Sequence, residues 1–200
     1  MAIDQSTLRV DPVAARPSNA GPSYAPLIVA ALIGGAVSLS LGVYGRVHQP
    51  TGRQVFDFGF PYLGAMKSWL ATFALAFALA QLVSALAMFG RLPGVRTTPR
   101  RVPFVHRWSG TAAFVVSLPV AYHCLWSLGF QTIGPRQVIH SIAGCLFYGA
   151  FATKLLALRV RRLPSWALPV IGGSLVAALT VLWLTSALWF FTNVEFPAFR

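Results

Sequence analysis

The chain has 200 residues, of which 56% are hydrophobic and only 10% charged, and its mean hydropathy is +0.66. Soluble globular domains carry about a quarter charged residues, so this composition excludes an ordinary water-soluble fold and is typical of a membrane protein. The net charge is +12. We do not expect a nucleic-acid partner, because no basic face interleaved with aromatic residues lies outside the apolar runs.

Five apolar runs of about 20 residues follow one another along the chain, and each is long enough to cross a hydrocarbon layer of about 30 Å as a helix. Backbone polar groups in lipid need partners within their own segment, so the runs predict an all-α integral membrane bundle of five transmembrane helices. A largely polar arm precedes the first run, which argues against a cleavable signal peptide. The runs are Ala25–Tyr44, Trp69–Phe89, Trp108–Leu128, Val138–Leu158 and Ala167–Phe190.

The chain is predicted to form one domain with two short extensions. We expect a disordered cytoplasmic arm over residues 1–24, a five-helix transmembrane domain over 25–190 and a short external tail over 191–200. Eleven of the sixteen Lys and Arg lie in the arm, in loop 90–107 and in link 154–162. The positive-inside rule therefore predicts a cytoplasmic N-terminus and an external C-terminus. An excess of Arg over Lys, with abundant Ala, Gly and Pro, indicates a bacterial protein of the plasma membrane.

Histidines are the main ionisable candidates inside the predicted spans. No Asp or Glu lies in any span, which argues against a proton-coupled carrier. Counted from helix ends near Leu128 and Arg136, His123 lies about 7.5 Å inside the third helix and His140 about 6 Å inside the fourth. Because the chain reverses direction between them, both imidazoles are expected at one depth near the outer face.

Two imidazoles that meet at one depth are the ligand set of a b-type haem. We therefore predict that His123 and His140 bind the iron of haem b as axial ligands. Arg136, one turn before His140, is predicted to pair with a haem propionate, and Gly144, one turn after it, to leave room for the macrocycle. Packed helices lie about 8 to 10 Å apart, so the third and fourth helices would have to diverge or lie diagonally.

Other uses of the histidines stay open. His123 and His140 could instead form a polar contact between helices, contribute to a quinone site, or bind copper or zinc together with His48. His106 begins the third helix on the cytoplasmic side. It is a candidate ligand of a second haem, with Met88 as its partner, or else an interfacial residue.

Three further polar or thiol residues in the spans are assigned to packing. Gln81 is expected to form a hydrogen bond between helices. Cys124 and Cys145 differ in depth, so they are expected to serve as small packing residues and not to form a disulfide.

The stretch "HRWSG", residues 106–110, followed by a further histidine on the same helix, resembles the haem helices of b561-type and ferric-reductase-like membrane cytochromes. Those families hold haem by paired histidines, and the resemblance implies His106, His123 and His140 as matching positions. The segments "KSWLAT", "AYHC" and "HSIAGCLFYGAFATKLL" also resemble an uncharacterised bacterial family of five-helix membrane proteins. That resemblance implies Rieske-type or cytochrome redox subunits as partners.

These observations predict a b-type cytochrome-like membrane protein that exchanges electrons with quinol or with an exported redox partner. The alternative is a non-catalytic membrane anchor or assembly subunit of a respiratory complex, in which the histidines only link helices. Phosphate-binding loops and nucleophile motifs are absent from the sequence, so no enzymatic reaction is assigned.

Overall fold

The computed structural model describes residues 21, 23–94 and 98–194. All regular structure in these residues is helical, and five helices are long and apolar enough to span a membrane. The predicted all-α class and the number of such helices are confirmed. Most of the predicted arm over residues 1–24 and of the tail over 191–200 lies outside the described residues. The helices are α1 Ala25–Val47, α2 Leu63–Met88, α3 Val102–Leu128, α4 Pro135–Ala157 and α5 Ala167–Asn193.

The helix ends depart from the apolar runs that predicted them. Both α2 and α3 begin six residues earlier than their runs. Three helices carry a proline at their first or second position, Pro26 in α1, Pro103 in α3 and Pro135 in α4. Proline suits this position because the first amides of a helix have no partner within it. Hydropathy alone misses the starts of α2 and α3, because charged residues, Lys67 and Arg107, lie among their first six residues.

Large apolar side chains cover the outward faces of the helices. Leu32 and Leu39 on α1 are each 68% exposed, and similar residues occur on all five helices. An apolar surface of this extent is unfavourable in water. It indicates contact with a lipid bilayer and a multi-pass membrane protein. The buried core between the helices contains Ala74, Ala78, Phe147, Leu175 and Leu179.

Helices α1 and α4 pack closely along a seam of small residues. A Cβ atom at Gly34 would overlap the Thr153 side chain and the Gly149 carbonyl. The Thr153 hydroxyl lies 3.0 Å from the Gly149 carbonyl oxygen and 3.3 Å from that of Ala30. Missing side chains thus let the two backbones approach, as is common where helices associate in membranes.

Helices α3 and α4, in contrast, are separated by bulky side chains and a cavity. α4 packs on α1 and α5, and α2 packs on α3 and α5. Between α3 and α4 the rings of Phe114 and Phe151 stack with centroids 4.0 Å apart. A cavity follows toward the end of the bundle that carries loops 48–62 and 129–134, which we call the loop end. This separation agrees with the expected divergence of the third and fourth helices.

Wide π-helical turns interrupt α3 at His123–Leu128 and α5 at Leu184–Leu188. Pro119, which lacks a backbone N–H, lies one turn before the first of them. Such turns are rare and occur often at functional sites. Both contribute to the cavity wall, through Cys124 on α3 and Thr185 on α5.

Replacing Gly34 with Ala should destabilise the α1–α4 seam. The added methyl group would force α1 and α4 apart, and overpacking of this kind costs about 1–3 kcal/mol of unfolding free energy. Gly35→Ala is the matched control, because nothing lies within 4 Å of a Cβ placed there. The free energy of unfolding in detergent would be measured for both variants. Equal stability of the two would contradict the close approach of α1 and α4.

Candidate functional site around His140

A cavity of about 370 Å³ lies between α2, α3, α4 and α5 at the loop end of the bundle. Most of its wall is apolar, and a few polar side chains face it. Mostly apolar cavities with a few placed polar groups are the usual form of small-molecule sites. The polar or ionisable side chains that could bind a ligand include Lys67, Cys124, Arg136, His140 and Tyr148.

His140 lies at the centre of these polar groups. Its Nδ1 is 3.0 Å from the Thr185 hydroxyl oxygen on α5. Lys67 on α2 and Cys124 on α3 line the same cavity as His140 on α4. The sequence predicted a packing role for Cys124 and no role at this site for Lys67.

Arg136 and Gly144 flank His140 on α4, and both also line the cavity. The Arg136 guanidinium donates from Nη1 to the Thr185 carbonyl at 2.6 Å and lies over the Trp189 ring, 4.1 Å from its centroid. A cation held over an aromatic face is stabilised by the ring quadrupole. A Cβ atom at Gly144 would meet only Leu182, at 3.8 Å, so the glycine leaves open space. Three of the predicted site residues therefore share one cavity.

His123 belongs to different surroundings. Its ring is fully buried, and it is not part of the cavity wall. Nδ1 lies 2.9 Å from the Pro119 carbonyl oxygen, and Nε2 accepts the Val55 N–H at 3.3 Å. The Phe56 ring packs edge-on against it. Both ring nitrogens are thus engaged, and the arrangement does not fit shared axial ligation of one iron by His123 and His140.

The loop over residues 48–62 accounts for this difference, because it folds back over the wide turn of α3. The Gly52 N–H donates to the Ser127 carbonyl at 3.0 Å, and the Ser127 hydroxyl donates to the Arg53 carbonyl at 2.6 Å. Together with the His123 contact to Val55, these bonds anchor the loop on α3. His123 therefore serves as a buried anchor for the loop.

His106 lies in the other half of α3, outside the cavity. Its Nδ1 is 3.0 Å from the Ser84 hydroxyl oxygen and 3.1 Å from the Gln81 carbonyl oxygen. The Gln81 amide in turn donates to the His106 carbonyl at 3.5 Å, which confirms the predicted bond between helices. The Met88 side chain, the proposed partner in a second haem, is exposed. The structure does not bring His106 to the other predicted site residues.

A three-histidine metal site is not formed. The His48 ring stacks between Tyr44 and Trp126, at centroid distances of 5.0 and 4.6 Å. Within the described ranges, no group of three or more His, Cys, Asp or Glu could hold a metal ion. The described residues therefore do not form the copper or zinc site of His48, His123 and His140 that was left open as an alternative. Cys124 and Cys145 are both free thiols.

Removal of the His123 ring should loosen the loop. His123→Ala leaves the Val55 N–H without its acceptor, and the loss of one hydrogen bond of this kind costs about 0.5–1.5 kcal/mol. We expect faster hydrogen exchange at the Val55 amide and at its loop neighbours, measured by mass spectrometry. His140→Ala is the control, because His140 faces the cavity and not this loop. Unchanged exchange in His123→Ala would refute the anchoring role.

Comparison with known proteins places the chain in a family. A family described only as being of unknown function, DUF6529, matches residues 27–198. No curated protein and no solved structure matches the chain. The match covers far more than half of the sequence, and it confirms the predicted membership of an uncharacterised family. The chain belongs to the DUF6529 family.

Proposed function

We propose that the protein is a membrane electron-transfer protein of b-type cytochrome character, with His140 as an axial ligand of a haem in the central cavity. One observation carries the proposal: His140, Arg136 and Gly144 line the same cavity. The sequence predicted His140 as a ligand of the iron, Arg136 as the partner of a haem propionate and Gly144 as the position that leaves room for the macrocycle. A bound haem would supply an iron centre that accepts and releases one electron.

The residues around His140 are suited to a ligand that is acidic, flat and largely apolar. Arg136 from α4 and Lys67 from α2 both line the cavity, and each can donate to a carboxylate. The open space at Gly144 lies one turn from His140, on the same side of α4. His123 does not contribute to this fit, since both of its ring nitrogens have other partners. Ligation by the pair, as predicted from the sequence, would require His123 to release the loop.

A quinone is the second candidate ligand. Its carbonyl oxygens would accept hydrogen bonds from Lys67 or Arg136, and its tail would lie along the apolar wall. In either case we propose that electrons pass to or from quinol or an exported partner. Rieske-type or cytochrome subunits are the proposed partners, as the sequence resemblance to redox membrane proteins implies.

The competing function is that of a membrane anchor or assembly subunit of a respiratory complex. The observation in its favour is that His106 and His123 both bond to polar groups of their own bundle. Histidines used in this way link helices and loops and need no cofactor. The two functions differ in whether the purified protein contains a chromophore.

We further propose that the protein lies in a bacterial plasma membrane with its N-terminus in the cytoplasm. The support is the distribution of positive charge, since loops 90–101 and 158–166 carry more Lys and Arg than loops 48–62 and 129–134. In this orientation the cavity lies near the outer face. An exported redox partner would then approach from the loop end.

The visible absorption spectrum distinguishes the two functions. Protein expressed with ample haem should show a Soret band that shifts on reduction with dithionite. His140→Ala should abolish the band, while Ser174→Ala, whose hydroxyl bonds only within α5, should keep it. Size-exclusion chromatography would verify that each variant is folded.

Absence of a Soret band from the wild-type protein would overturn the haem proposal and leave the quinone site and the anchor function as the competing interpretations. Loss of the band in folded His123→Asn would instead support ligation by the predicted pair. Loss of part of the band in His106→Asn would support a second haem.

Reporter fusions test the orientation. Alkaline phosphatase is active only after export, so a fusion placed after Ile133 should be active and one after Pro99 inactive. Because both loops are short, the main difference between the two fusions is the side of the membrane on which the phosphatase lies. The reverse pattern would place the N-terminus outside and contradict the proposed orientation.

A further inference from the structure

We propose that Thr185 is a positioning residue that holds His140 with its proton on Nδ1 and its Nε2 lone pair toward the cavity. The inference concerns the site described above and rests on the proposed function only for the identity of the ligand. Thr185 lies in the wide turn of α5, opposite His140 on α4.

The single proton of the Thr185 hydroxyl fixes the direction of its bonds. The hydroxyl oxygen lies 2.7 Å from the Val181 carbonyl oxygen and 3.3 Å from that of Leu182. A carbonyl can only accept, so the hydroxyl proton goes to one of these two oxygens. The contact of 3.0 Å to His140 is then one in which Thr185 accepts and His140 Nδ1 donates. In a neutral imidazole with Nδ1–H, Nε2 carries a bare lone pair.

Thr185 also contacts Arg136, through its backbone carbonyl. The Thr185 carbonyl accepts from Arg136 Nη1 at 2.6 Å. One residue thus orients both the imidazole and the guanidinium that face the cavity. Partners of this kind fix the orientation of a ligating histidine and raise its basicity.

His123 shows why the remaining lone pair matters. Its Nδ1 also faces a backbone acceptor, the Pro119 carbonyl, so it holds the same tautomer as His140. Its Nε2 lone pair, however, is used by the Val55 N–H. Only the lone pair of His140 reaches the cavity, so the ligand must offer it a Lewis-acidic metal centre or a hydrogen-bond donor.

Nitrogen NMR of the full chain, with ¹⁵N-labelled histidine and without added haem, tests the inference. Spectra would be recorded in detergent at a pH where the ring is neutral. The wild-type protein should show His140 with a protonated Nδ1 and a bare Nε2. His140→Gln identifies the resonances by their loss.

Thr185→Val removes the acceptor but keeps the shape of the side chain, so we expect His140 to lose its single tautomer and become a mixture. Thr185→Ser should restore the wild-type form. Thr180→Val is the matched control, because the Thr180 hydroxyl bonds only to the Val176 carbonyl of its own helix. A wild-type His140 with its proton on Nε2, or a Thr185→Val spectrum like that of the wild type, would overturn the inference.

Titration with hemin separates this inference from the proposed function. Removal of a residue that orients a metal ligand lowers metal affinity about 10- to 100-fold, and we expect Thr185→Val to weaken hemin binding to that extent. If the wild type binds no hemin but shows the expected tautomer, the haem proposal fails and the role of Thr185 stands. If hemin binds and Thr185→Val leaves both tautomer and affinity unchanged, the role of Thr185 fails and the haem proposal stands.

Discussion

The stack of Phe114 on Phe151 separates α3 and α4 next to the cavity in which a ligand is proposed to bind. The two rings lie parallel to within 5° between α3 and α4, with centroids 4.0 Å apart, and they hold the helices apart at this level. Two turns nearer the loop end, the same helices present Ala121 and Gly144, which are too small to fill the gap. The cavity follows from this change from large to small side chains along α3 and α4. Its wall includes both small residues.

Hydrogen bonds to neighbouring residues distinguish the roles of the three histidines of α3 and α4. A polar group removed from water needs a hydrogen-bond partner or it destabilises the fold. His106 has its hydrogen-bond partners on α2. His123 has one partner on the α3 backbone and one in the loop. His140 has one partner, the Thr185 hydroxyl on α5, and it lines the cavity. The same physical requirement thus produces two structural residues and one that faces a cavity.

Local patterns explain which features could be predicted. Five helices follow from hydropathy, and the shared face of Arg136, His140 and Gly144 follows from the helical repeat. The partner of His123 could not be predicted in this way, because Val55 arrives from a loop whose path has no periodic signal. Lys67 was missed because α2 begins at Leu63, before the apolar run. Thr185 was missed because a single hydroxyl within an apolar run carries no signal until its neighbours are known.

The charge of the cavity favours an acidic ligand over a neutral one. Lys67 and Arg136 both line it, whereas Asp57, the only acidic side chain that the structure describes, lies in the loop and accepts the Gly59 N–H. Trp189 and the Thr185 carbonyl offset part of the Arg136 charge. These neutral partners cannot replace an opposite charge where water is scarce. A haem brings two carboxylates to such a site and a quinone brings none, so charge balance supports haem as the ligand.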